Sequence, residues 1–299
     1  MLNSFCLNTA GLNICIESEG LPITLQSDPA YIPFILYNYK NPCDIFIKVK
    51  NSPIPVINEA KKLFDNSESW SLYFYEQKYY MIFQPPVFDK PYLLAEINNE
   101  FSNATIFCSD FMLELKDGTQ SIFNPVHYPF DQILLMHYLS LREGAIIHSA
   151  GTVINGECFV FPGRSGAGKS TITRLCSKNN RFLFLSDDRI ILRKISGNIQ
   201  AFGTQWPGDE GIAVNNSSRL SGIFFIYHGN ENRIEEISSQ KAFEKILPVT
   251  SIPWYEKDSM SKLLHFCEEL TSITPAYNLY FKADKNISDF LYDFIYRKT

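Results

Sequence analysis

The stretch Cys158-Phe-Val-Phe-Pro162-Gly163-Arg164-Ser165-Gly166-Ala167-Gly168-Lys169-Ser170-Thr171 decides the reading of this chain. It opens on an unbroken apolar run, Cys158–Pro162, which reads as a strand buried on both faces. Gly163–Ser170 then satisfies G-x-x-x-x-G-K-[ST], the Walker A or P-loop pattern. Gly163, Gly166 and Gly168 let the backbone curl until its N–H groups converge on phosphate oxygens. Thr171–Ser177 reads as a helix, and its positive N-terminal end adds to the same site. Lys169 can reach the outer phosphates, and the Ser170 hydroxyl can ligate Mg²⁺. A glycine-rich loop with no ligand is the alternative. From average residue frequencies, a chance match in a chain of this length has odds of about one in a hundred. The strand before the motif and the helix after it lower those odds further.

Working outward, Phe182–Leu185 is a second buried strand, and it ends in Asp187-Asp188, 18 residues after Lys169. Adjacent carboxylates at a strand end beside a phosphate loop suit Mg²⁺ binding and proton abstraction. They are the only acids between Arg164 and Lys194, a segment with eight basic residues and a local balance of +6. The short spacing excludes transporter-type ATPases, which also carry an L-S-G-G-Q signature that is missing here. The N-K-x-D motif of small GTPases is missing as well. Further strands are expected at Ala145–Ala150, Thr152–Ile154, Arg189–Arg193, Ile199–Phe202, Gly222–Tyr227 and Tyr277–Phe281. Asn155-Gly156 is a hairpin turn, and helices are expected at Ser239–Leu247, Asp258–Leu270 and Ser288–Arg297.

The chain has 299 residues, 45% of them hydrophobic and 20% charged, which fits a globular protein of two domains. Its 24 Phe and 16 Tyr point to β structure. Net charge is −5, divided as −7 over residues 1–150 and +2 over 151–299, so neither half reads as a nucleic-acid binder. Seven scattered cysteines with no CxxC pair argue against zinc and redox motifs and for mostly reduced, buried thiols. The N-terminus lacks a signal-peptide pattern, and no apolar stretch reaches membrane-helix length. The expectation is a cytoplasmic protein with no membrane and no nucleic-acid partner. Oligomeric state stays open, self-association included.

Residues 1–124 read as a β-rich N-terminal domain. Its expected strands are Leu12–Glu17, Tyr31–Tyr37, Asp44–Lys50, Trp70–Tyr75, Tyr79–Gln84, Tyr92–Ile97 and Met112–Lys116, with one helix near Ile57–Phe64. Turns are expected at Pro29, Asn41-Pro42, Pro85-Pro86 and Asp117-Gly118. A boundary falls at Pro125–Pro129, followed by a helix from Asp131 in which His137 reads as a core or surface residue. Residues 125–299 form the second domain, and the fold class is α/β (α+β).

The run Ile146-Ile-His148-Ser-Ala-Gly, the loop, and Phe184-Leu-Ser-Asp-Asp-Arg189 together resemble the catalytic domain of HPr kinase/phosphorylase. They resemble the HPr-kinase-related proteins more closely, since Gly203-Thr-Gln-Trp-Pro-Gly208 matches a G-T-x-W-P-G segment of that group. The resemblance covers Pro125–Thr299. It implies the P-loop fold shared with ATP-dependent phosphoenolpyruvate carboxykinase, ATP and Mg²⁺ as cofactors, and transfer of the γ-phosphoryl group to a serine-type hydroxyl of a peptide, protein or small molecule. The E-x-R-G-x-G-I-I-N-V signature of true HPr kinases is absent, so HPr as acceptor and the reverse phosphorylase activity are not expected.

On this resemblance Lys169 and the loop (Gly163, Arg164, Ser165, Gly166, Ala167, Gly168, Ser170, Thr171) hold the nucleotide. Asp187 is read as the base, with His148, 15 residues before Gly163, beside it. Asp188 goes to the metal with Ser170, although the two aspartates are interchangeable at this level. Glu210 or Asp209 adds a metal contact, Arg219 neutralises charge, and Arg189 pairs with a neighbouring carboxylate. The alternative function is a regulator or assembly factor that binds ATP without transferring phosphate. The N-terminal domain is the expected recogniser of the acceptor.

Overall fold

The computed structural model describes residues 2–25, 29–37, 42–57, 59–116 and 118–297. The chain is a mixed α/β protein with large sheets and few helices. It separates into two units, residues 1–138 with 253–257, and residues 139–252 with 258–299.

The first unit contains β1 (Ser4–Thr9), β2 (Leu12–Glu19), β3 (Ile23–Thr24), β4 (Ile35–Leu36), β5 (Ile45–Asn51), β6 (Lys61–Asp65), β7 (Trp70–Tyr75), β8 (Lys78–Phe83), β9 (Leu93–Asn98), β10 (Asn103–Cys108), β11 (Leu113–Lys116) and β12 (Thr119–Phe123). Nine of them form one sheet in the order β4-β1-β2-β5-β10-β9-β8-β7-β6, and β11-β12-β3 form a second. Helix α1 (Phe130–Ser140) follows. The division lies inside α1, beyond the 124/125 boundary read from the sequence, because α1 packs on this unit. The Phe130 ring is 6.3 Å from Phe83, and His137 stacks on Phe101 at 4.3 Å. Residues 253–257 belong here through Tyr255, which stacks on Phe64 at 4.8 Å.

Two local expectations are corrected. The helix near Ile57–Phe64 is instead strand β6, whose Phe64 pairs opposite Leu72 of β7; residue 58 lies outside the described residues. Tyr31–Tyr37 is not one strand. Pro29–Phe34 is a 3₁₀ turn and only Ile35–Leu36 is extended. Pro33 lacks the N–H a sheet ladder needs, and the Tyr31 hydroxyl is bonded to Asp131 at 2.7 Å. Strands β1, β3, β10 and β12 escaped the reading. Of the expected turns, Asn41 and Asp117 lie outside the described residues. Five cysteines are buried thiols, as expected of most of them, but Cys15 and Cys43 form a disulfide. Parallel pairing of β2 with β5 draws Cys43, just ahead of β5, to 5.9 Å from Cys15 between Cα atoms.

The second unit contains β13 (Gly144–Ile154), β14 (Glu157–Pro162), α2 (Lys169–Cys176), β15 (Leu183–Ser186), β16 (Arg189–Ile195), β17 (Asn198–Phe202), β18 (Ser217–His228), β19 (Arg233–Ile237), α3 (Ser239–Ile246), α4 (Lys257–Ile273), β20 (Ala276–Phe281) and α5 (Asn286–Tyr296). Its sheet runs β14-β13-β16-β17-β18-β20-β19, and β14 also pairs with β18. Side chains of β14 alternate between two apolar layers. Cys158 and Val160 meet Leu263, Phe266 and Leu270 of α4, while Phe159 and Phe161 share a layer with Ile172 of α2 and Ile287 and Leu291 of α5. The unbroken apolar run of β14 is the consequence of covering on both faces. Spacing of three and four residues on α4, and of four on α5, gives each helix one buried stripe.

His137 is fully buried, its Nε2 3.0 Å from the Tyr255 hydroxyl. Burial pushes its pKa down from 6.5 to about 3. The folded chain therefore holds His137 neutral while the unfolded chain protonates it below about pH 6.5. Its contribution to stability is present near neutrality and is lost as pH falls from the unfolded toward the folded value. Urea unfolding of the first unit should lose about 2 kcal/mol from this residue between about pH 7 and about pH 5. A His137→Phe variant should lack that increment.

Candidate functional site

A hairpin sets the site. Asn155 and Gly156, both at positive φ (52° and 84°), turn β13 into β14, and the register pairs Ser149 with Pro162. His148 therefore lies beside the residue that starts the phosphate loop, and its carbonyl accepts from the Gly163 N–H at 3.2 Å. The 15-residue gap between His148 and Gly163 is the length of this hairpin. On the other side of β13, the pairing with β16 places His148 opposite Arg189.

Within the loop, Gly166 and Gly168 have φ of 80° and 107°, the left-handed region that favours glycine. A Cβ on Gly163 would lie 2.7 Å from that of Ala167, so the loop closes tightly on itself. Lys169 is buried, and its Nζ donates to the carbonyls of Gly163 at 2.9 Å and Arg164 at 3.4 Å. Burial pushes the Lys169 pKa below its ordinary value, against the opposing pull of Asp188.

The two aspartates are in different surroundings. Asp187 is 2% exposed and accepts three backbone N–H groups, from Gly208 (2.9 Å), Glu210 (2.7 Å) and Ile212 (3.2 Å). Asp188 keeps 29% of its side chain exposed. His148 Nε2 lies 2.8 Å from one of its oxygens, and Arg189 donates to the other at 2.7 Å. Burial opposes ionisation of Asp188, but the hydrogen bond from His148 and the charges of Arg189, His148 and Lys169 outweigh it and hold the carboxyl below its ordinary range. Asp188 is therefore a carboxylate at neutral pH. His148 sits with Asp188, not with Asp187 as the sequence reading had it, and Arg189 pairs with a neighbouring carboxylate as expected.

His148, Ser165, Gly166, Gly168, Lys169, Ser170, Thr171, Asp187, Asp188 and Arg189 line one cavity of about 420 Å³, joined by Gly208, Asp209 and His228. Gly163, Arg164 and Ala167 are outside that lining. Of the two acids named after Gly208, Asp209 faces the cavity, its Oδ2 3.4 Å from Ser170 Oγ. Glu210 approaches Arg174 at 3.7 Å instead. Arg219 lies on β18 across from Glu157, the first residue of β14, and so at the far end of that strand from the loop. The Thr204 hydroxyl donates to the Arg189 carbonyl at 2.8 Å, which ties the 203–208 segment to the aspartates. His228 was missed; its position at the end of a long apolar strand was the available signal.

The donor set suits a phosphate chain with Mg²⁺: loop amides, Lys169, the hydroxyls of Ser170 and Thr171, and the hard oxygens of Ser170 and Asp209. Among the described residues there is no group of three or more His, Cys, Asp or Glu placed to hold a metal alone. Magnesium shared with substrate phosphates takes only one or two protein carboxylates.

No protein-family model matches this chain, and no curated protein does. Among solved structures, it is similar to the Hpr(Ser) kinase/phosphatase from Coxiella burnetii over 51% of this chain and 89% of that one, at 11% identity and a TM-score of 0.29. The similarity is weak and is confined to half of the chain. Among the described residues, no helix is long and apolar enough to cross a membrane.

Gly208 tests how the aspartates are held. A Cβ there would fall 2.8 Å from Asp187 Oδ2 and 3.0 Å from Asp188 Cβ. Gly208→Ala should cost about 1–3 kcal/mol through forced displacement. Asp187→Ala should cost at least as much, because each buried N–H left without an acceptor is worth about 1–3 kcal/mol. Chemical denaturation of the two variants measures both.

Proposed function

We propose that this chain is an ATP- and Mg²⁺-dependent phosphotransferase that moves the γ-phosphoryl group to a serine-type hydroxyl of a peptide, protein or small molecule. The observation that carries this reading is the Asp188 carboxylate, paired with His148 and Arg189, facing the same cavity as Lys169 and Ser170. A site built only to bind nucleotide has no use for an accessible carboxylate already oriented by a histidine.

The residues divide the work as follows. The loop amides and Lys169 hold the outer phosphates, with Arg189 adding positive charge to the same cavity. Ser170 and Asp209 supply oxygens for Mg²⁺, which when bound neutralises phosphate charge. Asp188 takes the proton of the acceptor hydroxyl, and His148 fixes its orientation. Two partners leave Asp188 further lone pairs and an exposed face, whereas Asp187 has three partners and almost no exposure. The role of base thus passes from Asp187 to Asp188, and Asp187 becomes the residue that positions Asp209. The chemistry matches what the resemblance to HPr-kinase-related proteins implies. Location in the cytoplasm and recognition of the acceptor by residues 1–124 belong to the same proposal.

Two variants test the reading. Lys169→Ala should weaken Mg·ATP binding or turnover at least about tenfold, equivalent to ~1.4 kcal/mol. Asp188→Asn should keep ATP affinity within a few-fold while phosphate incorporation into the acceptor falls by about 10²-fold or more. Unchanged ATP binding and turnover in folded Lys169→Ala protein would end the phosphate-site reading. Normal transfer by Asp188→Asn would remove Asp188 from the role of base, and ATP binding without any transfer by the wild type would leave a nucleotide-binding regulator as the better description.

A further inference from the structure

Strands β14, β18 and β20 run parallel and side by side, so their C-terminal ends share one edge of the sheet. The phosphate loop follows β14, His228 ends β18 and Phe281 ends β20. Ligands of such sheets lie outside the carboxyl ends of the strands. His228 is exposed and lines the cavity, while Phe281 is fully buried behind it, the two ring centroids 5.3 Å apart. Both rings crowd the start of α2. A Cβ on Gly168 would lie 3.1 Å from His228 Cε1 and 2.9 Å from Phe281 Cζ. An accessible flat ring with an aromatic neighbour therefore stands next to the glycine-rich turn that the proposed function assigns to phosphates. Neither phosphate binding nor proton abstraction needs it there.

We propose that His228, backed by Phe281, is the stacking platform for the heteroaromatic base of a nucleoside triphosphate, and so the residue that separates a nucleotide from inorganic polyphosphate. This rests on the phosphate-site reading above. A flat ring can stack on any base, because every base has a π-face. The platform therefore registers that a base is present rather than which base it is. Phe281 packs against the imidazole with the two ring planes tilted by 37°, a contact that narrows the ring's freedom before a base arrives and so lowers the entropy lost on binding.

The test compares ATP with inorganic tripolyphosphate on the full chain in the presence of Mg²⁺, by equilibrium binding. The wild type should prefer ATP. His228→Ala should weaken ATP about tenfold and leave tripolyphosphate within about twofold, as loss of one stacking contact requires. His228→Phe should hold ATP within about threefold of wild type, since it keeps the ring and removes the ring nitrogens. Equal affinity of the wild type for the two ligands would overturn the platform while leaving the phosphate site standing. Equal weakening of both ligands by His228→Ala would do the same, making His228 a phosphate contact. If the wild type binds neither ligand, the phosphate-site reading fails and the platform fails with it.

Discussion

The three hydrogen bonds into the Asp187 carboxylate are the constraint on which the rest of the site depends. A buried carboxylate is costly unless its lone pairs are met, and here backbone groups of Gly208, Glu210 and Ile212 meet them. The bonds join the end of β15 to a segment more than twenty residues later in the chain, and they leave that segment little freedom. Gly208 must lack a side chain to come so close, and Asp209 is then carried to the Ser170 hydroxyl. One acid thus acts on the cavity mainly through a second acid, with almost no exposure of its own.

Much of this was legible because it is local. The β14–loop–α2 succession follows from an apolar run, three glycines and a short helix, and Asn155-Gly156 marked the hairpin that brings His148 to Gly163. In the first unit, alternation and turn residues located β5, β7, β8 and β9 to within a residue or two. What escaped was set by partners distant in sequence. The stretch near Ile57–Phe64 reads as helical alone, and its second half joins strand β6 only because β7 lies beside it. Cys43 meets Cys15 only through the parallel pairing of β2 and β5. Asp209 and Glu210 are equivalent as letters and are told apart by a turn that Asp187 dictates.

Charge in the cavity follows the same logic of local supply and distant balance. The basic segment around the loop gives an excess of positive charge for phosphates to neutralise, yet its two acids are what organise it. Arg189 is held by Asp188, and Lys169 is partly desolvated and engaged with loop carbonyls. Arg189 and Lys169 therefore have defined positions, which under the proposed function would lower the reorganisation that binding and transfer demand.

Adjacent aspartates with unlike environments are what a strand end produces. Asp187 and Asp188 form the bend that joins β15 to β16, and in it Asp187 is 2% exposed while Asp188 keeps 29% of its side chain exposed. Ser186 closes β15, and its hydroxyl accepts from the N–H groups of Asp188 at 3.3 Å and Arg189 at 3.2 Å. That turn directs the chain into β16, whose pairing with β13 places Arg189 opposite His148. The inward carboxylate then meets backbone donors, and the outward one meets an imidazole, a guanidinium and the cavity. Reversing the two roles would require the turn after Ser186 to flip, with loss of the three bonds at Asp187 and of the register that seats His148. The difference in surroundings between these neighbours is therefore a property of the backbone at this strand end.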